Sequence, residues 1–321
     1  MATRIKDQTA DDRGYVDLHE HIVELRKAGL LFEVDREINK DTEMHPLVRW
    51  QYRGGVEEED RKAWLFTNVS DAKGRKYDIP VLVGGLAANS AVYKLGMGCE
   101  LDEIKETWIR ALNNPIDPHE VPFEEAPCHE LVYDGEDLLN GHGVDQIPVP
   151  ISSPGWDNAP YFAASHFITK DPNTGIQNMG NYRSMVKAPN RVGFNPSIEL
   201  RTGGYMHWEE WKKRGEPMPC AIVIGAPPVV SFTAVQKVPE KFDEFQISGG
   251  LCGKPLNVVK AKTVDLLVPA EAEIVIEGFI STDLLEPEAP FGESHGHVNL
   301  QEYNGFMDVT AVTRRKDAVM V

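Results

Sequence analysis

Two carboxylates stand five residues apart in Glu286-Pro-Glu288-Ala-Pro290-Phe-Gly292-Glu293-Ser-His295-Gly-His297. With Pro290 and Gly292 between them, Glu288 and Glu293 cannot share a regular helix face and must sit on a shaped loop. Carboxylates confined together tend to share a proton, which raises one pKa and yields a general acid usable near neutrality. An Arg nearby would keep the other ionised. Well upstream, Asn178-Met-Gly-Asn-Tyr-Arg183 follows the turn Asp171-Pro-Asn-Thr-Gly175. If that segment is extended, Asn181 and Arg183 lie on one face, and Gly180 lets a ligand approach the backbone. Arg183 could then clamp a carboxylate by two parallel hydrogen bonds. Taken singly, each segment also reads as solvated surface: an exposed Arg on a strand, and an acidic turn in an acidic chain.

Other chemistries find less support. His295 and His297 alternate onto one strand face without a spaced third ligand, which argues against zinc. Gly84-Gly85, Gly203-Gly204 and Gly249-Gly250 match neither the dinucleotide nor the P-loop fingerprint. No Gly-x-Ser-x-Gly elbow is present, and Cys128 and His129 are sequence neighbours, poorly placed as nucleophile and base. The four cysteines form no CxxC pair, so neither a zinc nor a redox motif is suggested.

The elements that would position these residues are mixed. Asp17 can cap a helix in which Leu18, Ile22 and Leu25 recur, stopped by Gly29, and Leu101 to Leu112 predicts a second helix ended by Pro115. Ala63 to Val69 and Ile79 to Val83 read as strands. Pro115 to Pro127 is acidic and proline-rich and suits a linker. Short strand-like runs follow at Phe162 to Thr169, Ala221 to Ile224, Val258 to Lys262, Val264 to Val268, Ile274 to Ile280 and Met307 to Val312. One helix near Tyr205 to Arg214 interrupts them. This pattern predicts a barrel or sandwich. Asp317 to Val321 reads as a strand with no polar tail, as in a chain cut short.

A length of 321 residues suits two domains, and 41% hydrophobic with 26% charged residues is a globular composition. The net charge of −17 argues against nucleic-acid or anionic membrane surfaces. A phosphate-bearing ligand must therefore be held locally, by a metal, an Arg or a helix N-terminus. With no signal peptide and no apolar run of about 18 residues, the cytoplasm is the expected location.

In combination and in order, the segments resemble the UbiD family of reversible decarboxylases. The likeness runs from Asp17-Leu-His-Glu-His-Ile22 through Pro127-Cys-His-Glu-Leu-Val132, Asp171 to Arg183, Gly225-Ala-Pro-Pro228 and Phe242-Asp-Glu244-Phe. It ends with Val268-Pro-Ala-Glu-Ala-Glu-Ile-Val-Ile-Glu-Gly278 and the paired-Glu loop, and covers essentially the whole chain. The resemblance implies an α+β fold, with an N-terminal mixed α/β domain over residues 1–120 and a split β-barrel, flavin-reductase-like, over 121–321. It also implies that the family's C-terminal domain is absent here.

The same resemblance implies prenylated FMN as cofactor, bound by Asn178, Gly180, Asn181, Tyr182, Arg183 and Glu244, with Arg183, Glu288 and Glu293 as catalytic trio. Asn178 and Glu244 match two ligands of a divalent metal, Mn²⁺ or Mg²⁺, whose preference is for hard oxygen donors. A monovalent cation, K⁺, accompanies it. The family's histidine ligand falls near Arg201, where no His stands; Glu199 and His207 are the alternatives. The implied substrate is an aromatic or α,β-unsaturated carboxylate, phenolic or phthalate-like or a thioester. A flavin prenyltransferase would supply the cofactor, and the protein would be a homo-oligomer. A non-catalytic or truncated UbiD-like subunit serving an assembly role is the alternative, and a redox flavin barrel a third reading.

Overall fold

The computed structural model describes residues 8–239, 242–293 and 295–321. Helix α1 (Leu18–Lys27) begins where Asp17 accepts a hydrogen bond from the Glu20 backbone N–H and Glu20 reaches back to that of Asp17, a reciprocal cap. Leu18, Ile22 and Leu25 fill its buried face, and Gly29 turns the chain away at φ +71°. Helix α2 (Met44–Arg53) carries Pro46 in its first turn, where a missing N–H breaks no helical hydrogen bond. Helices α3 (Ser90–Met97) and α4 (Ile104–Asn113) complete the first third. Its strands Leu31–Val34, Ala63–Phe66 and Val81–Val83 form a small mixed sheet.

The remainder is dominated by a ten-stranded sheet. In chain order its strands are β1 (Leu131–Asp134), β2 (Tyr161–Phe162), β3 (His166–Lys170), β4 (Gln177–Asn181), β5 (Ser184–Ala188) and β6 (Arg191–Phe194). They continue with β7 (Met218–Ile224), β8 (Ile274–Ile280), β9 (Glu286–Glu288) and β10 (Glu302–Arg314). Hydrogen bonding runs β4-β3-β7-β8-β10-β6-β5-β2, with β1 and β9 also pairing β10. No pairing joins β4 to β2 among the described residues, so the strands form an open path rather than a closed ring. Strand β8 lies between β7 and β10, and its run Ile274-Val275-Ile276 is fully buried. Each such side chain contributes about 1.5–3 kcal/mol.

Helices α5 (Gly203–Arg214), α6 (Pro228–Thr233) and α7 (Glu244–Cys252) pack around this sheet. The first third is not packed apart from it: Val34, Met44 and Phe66 share one buried cluster with Phe162, Ile222 and Met307.

Some sequence expectations need correction. The segment Pro115 to Pro127 is not a free linker. His119–Glu120 pairs parallel with strand Asn257–Lys260, and the Val121 N–H donates to the Val258 carbonyl at 2.8 Å. Proline-rich composition hid an edge strand whose donors are used on one side only. Helix α7 was not expected, because Gly249-Gly250 lowers helix propensity. A Cβ on Gly249 would meet the Ile116 carbonyl oxygen at 2.8 Å, and one on Gly250 the Ala111 and Asn114 carbonyl oxygens at 2.8 Å. These glycines admit α4 and the following segment against α7. That close packing replaces what local propensity lacks.

Candidate active site

Strands β3 and β4 form a hairpin around Asp171–Gly175, where Asp171 Oδ1 accepts from the Asn173 N–H at 2.7 Å. Register pairs His166 with Asn181. The chain leaves β4 through Tyr182 and Arg183, and a single bridge to Asn195 fixes Arg183. Tyr182 is buried against Phe167 and Phe194, and its hydroxyl accepts from the Gly204 N–H at 3.0 Å, at the N-terminus of α5. The close approach at Gly180 is made by this phenol: a Cβ there would lie 2.6 Å from the Tyr182 hydroxyl.

The paired carboxylates occupy a shaped loop, as their spacing requires. Glu288 ends β9, opposite Glu302 on β10. Ala289 follows at φ +75°, a conformation non-glycine residues rarely adopt, held by its N–H donating to the Tyr161 hydroxyl at 2.9 Å. Asn158 Nδ2 donates to the Ala289 carbonyl at 3.0 Å. Gly292 then donates its N–H to Asp157 Oδ1 at 2.7 Å, and a Cβ there would sit 2.2 Å from Ser153 Oγ. The chain can therefore return Glu293 toward Arg183 only with glycine at 292.

Arg183 joins both acids. Its Nε donates to Glu288 Oε1 at 2.9 Å and its Nη2 to Glu288 Oε2 at 2.7 Å, a bidentate pair. Its Nη1 donates to Glu293 Oε1 at 2.5 Å. Glu288 also accepts from Asn195 and Asn304 side-chain amides at 3.3 and 3.2 Å, whereas Glu293 accepts from Asn299 Nδ2 at 2.6 Å. Burial works against the Arg183 charge, but the hydrogen bonds and charge of Glu288 outweigh it and hold its pKa above the ordinary value. The Glu288 side chain is 1% exposed and that of Glu293 26%, so the second acid is the one a ligand can meet.

These groups line a cleft of about 580 Å³, which falls in the range of small-molecule sites. Asn181, Tyr182, Arg183, Phe291 and Glu293 line it together with His45, Arg49, Tyr52 and Arg53 of α2. Arg183 lies 5.1 Å from the Phe291 ring centroid, a cation–π contact. Burial, with a smaller effect from Arg49, pushes the His45 pKa down to about 4. Buried His166 contacts Asn181 Oδ1 through Nδ1 at 2.5 Å and Ser231 Oγ of α6 through Nε2 at 2.9 Å. An amide oxygen only accepts, so Nδ1 carries the proton and the Asn181 NH₂ is turned away from His166. Sequence reasoning missed this support, because a lone His carries no signal. It also missed the α2 wall, although the spacing of His45, Arg49 and Arg53 places them on one helix face.

Asn178 lies near the start of β4, and Glu244 reaches the same strand at Met179. Glu244, at the first turn of α7, is 4% exposed and accepts from the Met179 N–H at 2.7 Å. Burial pushes its pKa up to about 8. Buried Asn178 Nδ2 has no hydrogen-bond partner among the described residues, and its Oδ1 occupies the space a Gly203 Cβ would fill. A buried carboxyl group with no cationic partner among the described residues, and an unsatisfied amide one residue from the backbone it binds, are donors of the kind a hard cation takes. His207 is held elsewhere, its Nδ1 2.8 Å from Thr169 Oγ1, and Glu199 and Arg201 are exposed. His295 and His297 are exposed with ring centroids 5.2 Å apart. Among the described residues, no helix is long and apolar enough to cross a membrane.

Comparison with known proteins gives the family and the fold. Residues 119–321 match the family model described as UbiD, 3-octaprenyl-4-hydroxybenzoate carboxy-lyase Rift-related domain. The chain belongs to the UbiD family. It is similar to an evolved dimeric form of the UbiD-class enzyme HmfF from Pelotomaculum thermopropionicum, solved with prFMN. Identity is 28%, the TM-score 0.84, and the match covers 95% of this chain and 66% of that one. Vanillic acid decarboxylase from Sedimentibacter hydroxybenzoicus in closed form is 25% identical, with a TM-score of 0.84, over 95% of this chain and 63% of that one. The fold is shared with 3,4-dihydroxybenzoic acid decarboxylase from Enterobacter cloacae: 23% identity, TM-score 0.83, over 95% and 64% of the two chains. The chain thus spans 63 to 66% of the length of these solved chains.

Proposed function

We propose that this protein catalyses reversible, non-oxidative decarboxylation of an aromatic or α,β-unsaturated carboxylic acid, phenolic or phthalate-like or a thioester, with prenylated FMN. The observation that carries the reading is Arg183 bound to both Glu288 and Glu293 at the edge of the cleft. When bound, the prenylated flavin supplies the electron sink that lets CO₂ leave.

The protein's own residues do the rest. Arg183 orients the carboxylate to be lost by charge-assisted hydrogen bonds. Glu288, whose oxygens take four hydrogen bonds, fixes the guanidinium plane. Glu293 delivers a proton to the carbon that has lost CO₂, taking the electron pair left there into a new C–H bond. Asn299 aims it. In the opposite direction Glu293 removes that proton and the same site carboxylates. Asn178 and Glu244 would hold a divalent cation, Mn²⁺ or Mg²⁺, with K⁺ beside it, and the cations would hold the flavin phosphate. Gly180, Asn181 and Tyr182 would border the cofactor, on a sheet read as a split barrel over residues 121–321. A flavin prenyltransferase would supply the cofactor, and the working form would be a homo-oligomer.

Co-expression with a flavin prenyltransferase, followed by the absorption spectrum and CO₂ release, tests this. A bound modified flavin with turnover is expected. A chain that emerges without flavin would sink the reading.

A further inference from the structure

Asn181 and Arg183 line the same cleft two residues apart, and their donors are in different states. Of the five N–H groups of a guanidinium, three on Arg183 are taken by Glu288 and Glu293. Two remain, whereas a carboxylate accepts about four hydrogen bonds. Asn181 is exposed to the cleft, and its side chain has one partner among the described residues, His166. Register sets His166 directly opposite Asn181 on the adjacent strand β3. The imidazole is buried and neutral, burial pushing its pKa down to about 4. A neutral ring whose Nδ1–H donates to Asn181 Oδ1 at 2.5 Å has a bare Nε2, and Ser231 Oγ, 2.9 Å away, is placed to donate to it. The hydrogen bonds therefore run one way, from the Ser231 hydroxyl through the ring to the Asn181 oxygen, and each link polarises the next. They end on Asn181 Nδ2, whose N–H groups have no partner among the described residues.

We propose that the Asn181 amide donates to the carboxylate that Arg183 orients, and that His166, held by Ser231, is the positioning residue that keeps the NH₂ rather than the oxygen turned to the ligand. The proposal rests on the decarboxylase reading for the identity of that carboxylate, and adds a binding residue and its support. Charge favours a neutral donor here. Arg183 already faces two acids, and a further cation would compete with it for Glu293. An amide attracts an incoming anion without altering the charge of the trio. Turned over, it would set its oxygen against the carboxylate, and a free Asn side chain samples both orientations; the buried ring removes the wrong one. A flavin carbonyl oxygen is the other acceptor of this chemistry. The spare N–H groups of Arg183 in the same cleft favour the carboxylate, because a single carbonyl oxygen would leave most of these donors unpaired.

In ¹⁵N NMR of the full chain, His166 should show a protonated Nδ1 and a bare Nε2. A protonated Nε2 would turn the Asn181 oxygen to the cleft and overturns the proposal. Calorimetric titration with benzoate and with FMN then compares wild type, Asn181→Leu, His166→Leu and His166→Gln. Benzoate should bind the wild type, and Asn181→Leu should weaken it about 10- to 100-fold, as loss of a hydrogen bond to a charged group predicts, with FMN binding unchanged. His166→Leu should weaken benzoate several-fold, and His166→Gln, whose amide can donate to Asn181 and accept from Ser231, should restore most of it. Combined with Asn181→Leu, His166→Leu should cost nothing further, because it acts through the amide. Should His166→Leu fail to fold, exposed Asn181→Leu and the tautomer still decide. Overturning results are no benzoate binding by the wild type, benzoate affinity that survives Asn181→Leu, or a His166→Leu loss that adds to it in the double variant. A fall in FMN affinity in Asn181→Leu gives the amide to the flavin and likewise overturns it. Binding is read without turnover, so failure of the flavin-loaded protein to release CO₂ would count against the decarboxylase reading and leave the donor standing.

Discussion

Arg183 and Glu288, 105 residues apart in sequence, meet through two hydrogen bonds of 2.9 and 2.7 Å, with the carboxylate almost wholly buried. A buried pair of this kind adds little net stability, but removing one partner leaves the other charge uncompensated. Glu288→Gln should therefore lower stability by about 3 kcal/mol in urea unfolding and reduce turnover at least 100-fold. A variant that keeps wild-type turnover would show that Glu288 does not hold Arg183 for catalysis.

Glu293 is the acid open to the cleft. Glu293→Gln should abolish exchange of solvent deuterium into the substrate carbon while changing the melting temperature little, because the residue is only partly buried. Retained exchange would remove Glu293 from the acid role.

The contact between His166 and Asn181 can be tested by titration. Burial pushes its pKa down to about 4, so the ring is neutral at pH 7. Asn181→Asp replaces a neutral acceptor by a charged one, and the His166 pKa should rise by at least one unit in an NMR titration. An unchanged value would mean the ring does not donate to position 181.

Metal addition should distinguish Asn178 and Glu244 from ordinary core polar residues. Saturating Mn²⁺ should raise the melting temperature of the wild type, with about 2.7 kcal/mol gained at 100 times the dissociation constant. Asn178→Ala and Glu244→Gln should lose that response. A variant response equal to the wild type's would exclude these two as ligands.

Glu271 gives a pH signature away from the cleft. Burial raises its pKa to about 7, against hydrogen bonds from Asn257 and Tyr15 and the charge of Arg13, with Asp17 adding to the rise. The folded state thus binds more protons than the unfolded state between about pH 4.5 and 7, and stability falls as pH rises through that window. Glu271→Gln should remove this slope. Its stability relative to wild type should climb by on the order of 3 kcal/mol from pH 4.5 to 7 and then level off. A difference that stays flat would show that Glu271 ionises normally.

Local pattern is what the sequence by itself determined. The reciprocal cap at Asp17 and Glu20 involves residues three apart, and the Ile274 to Ile280 strand has the expected bounds because its branched apolar run leaves few alternatives. The need for a shaped loop between Glu288 and Glu293 was legible for the same reason, and family likeness singled out their joint relation to Arg183. Tertiary structure alone decided the rest. Arg183 reaches Glu288 because the β3–β4 hairpin, the Asn195 bridge and the β9–β10 pairing hold their registers at once, and no periodicity encodes such a meeting. Helix α7 exists because Gly249 and Gly250 let neighbouring backbone approach, and Arg49 lines the same cleft as Arg183 because α2 packs into the same core as the large sheet. Those are contacts between distant segments, each set by what the other presents.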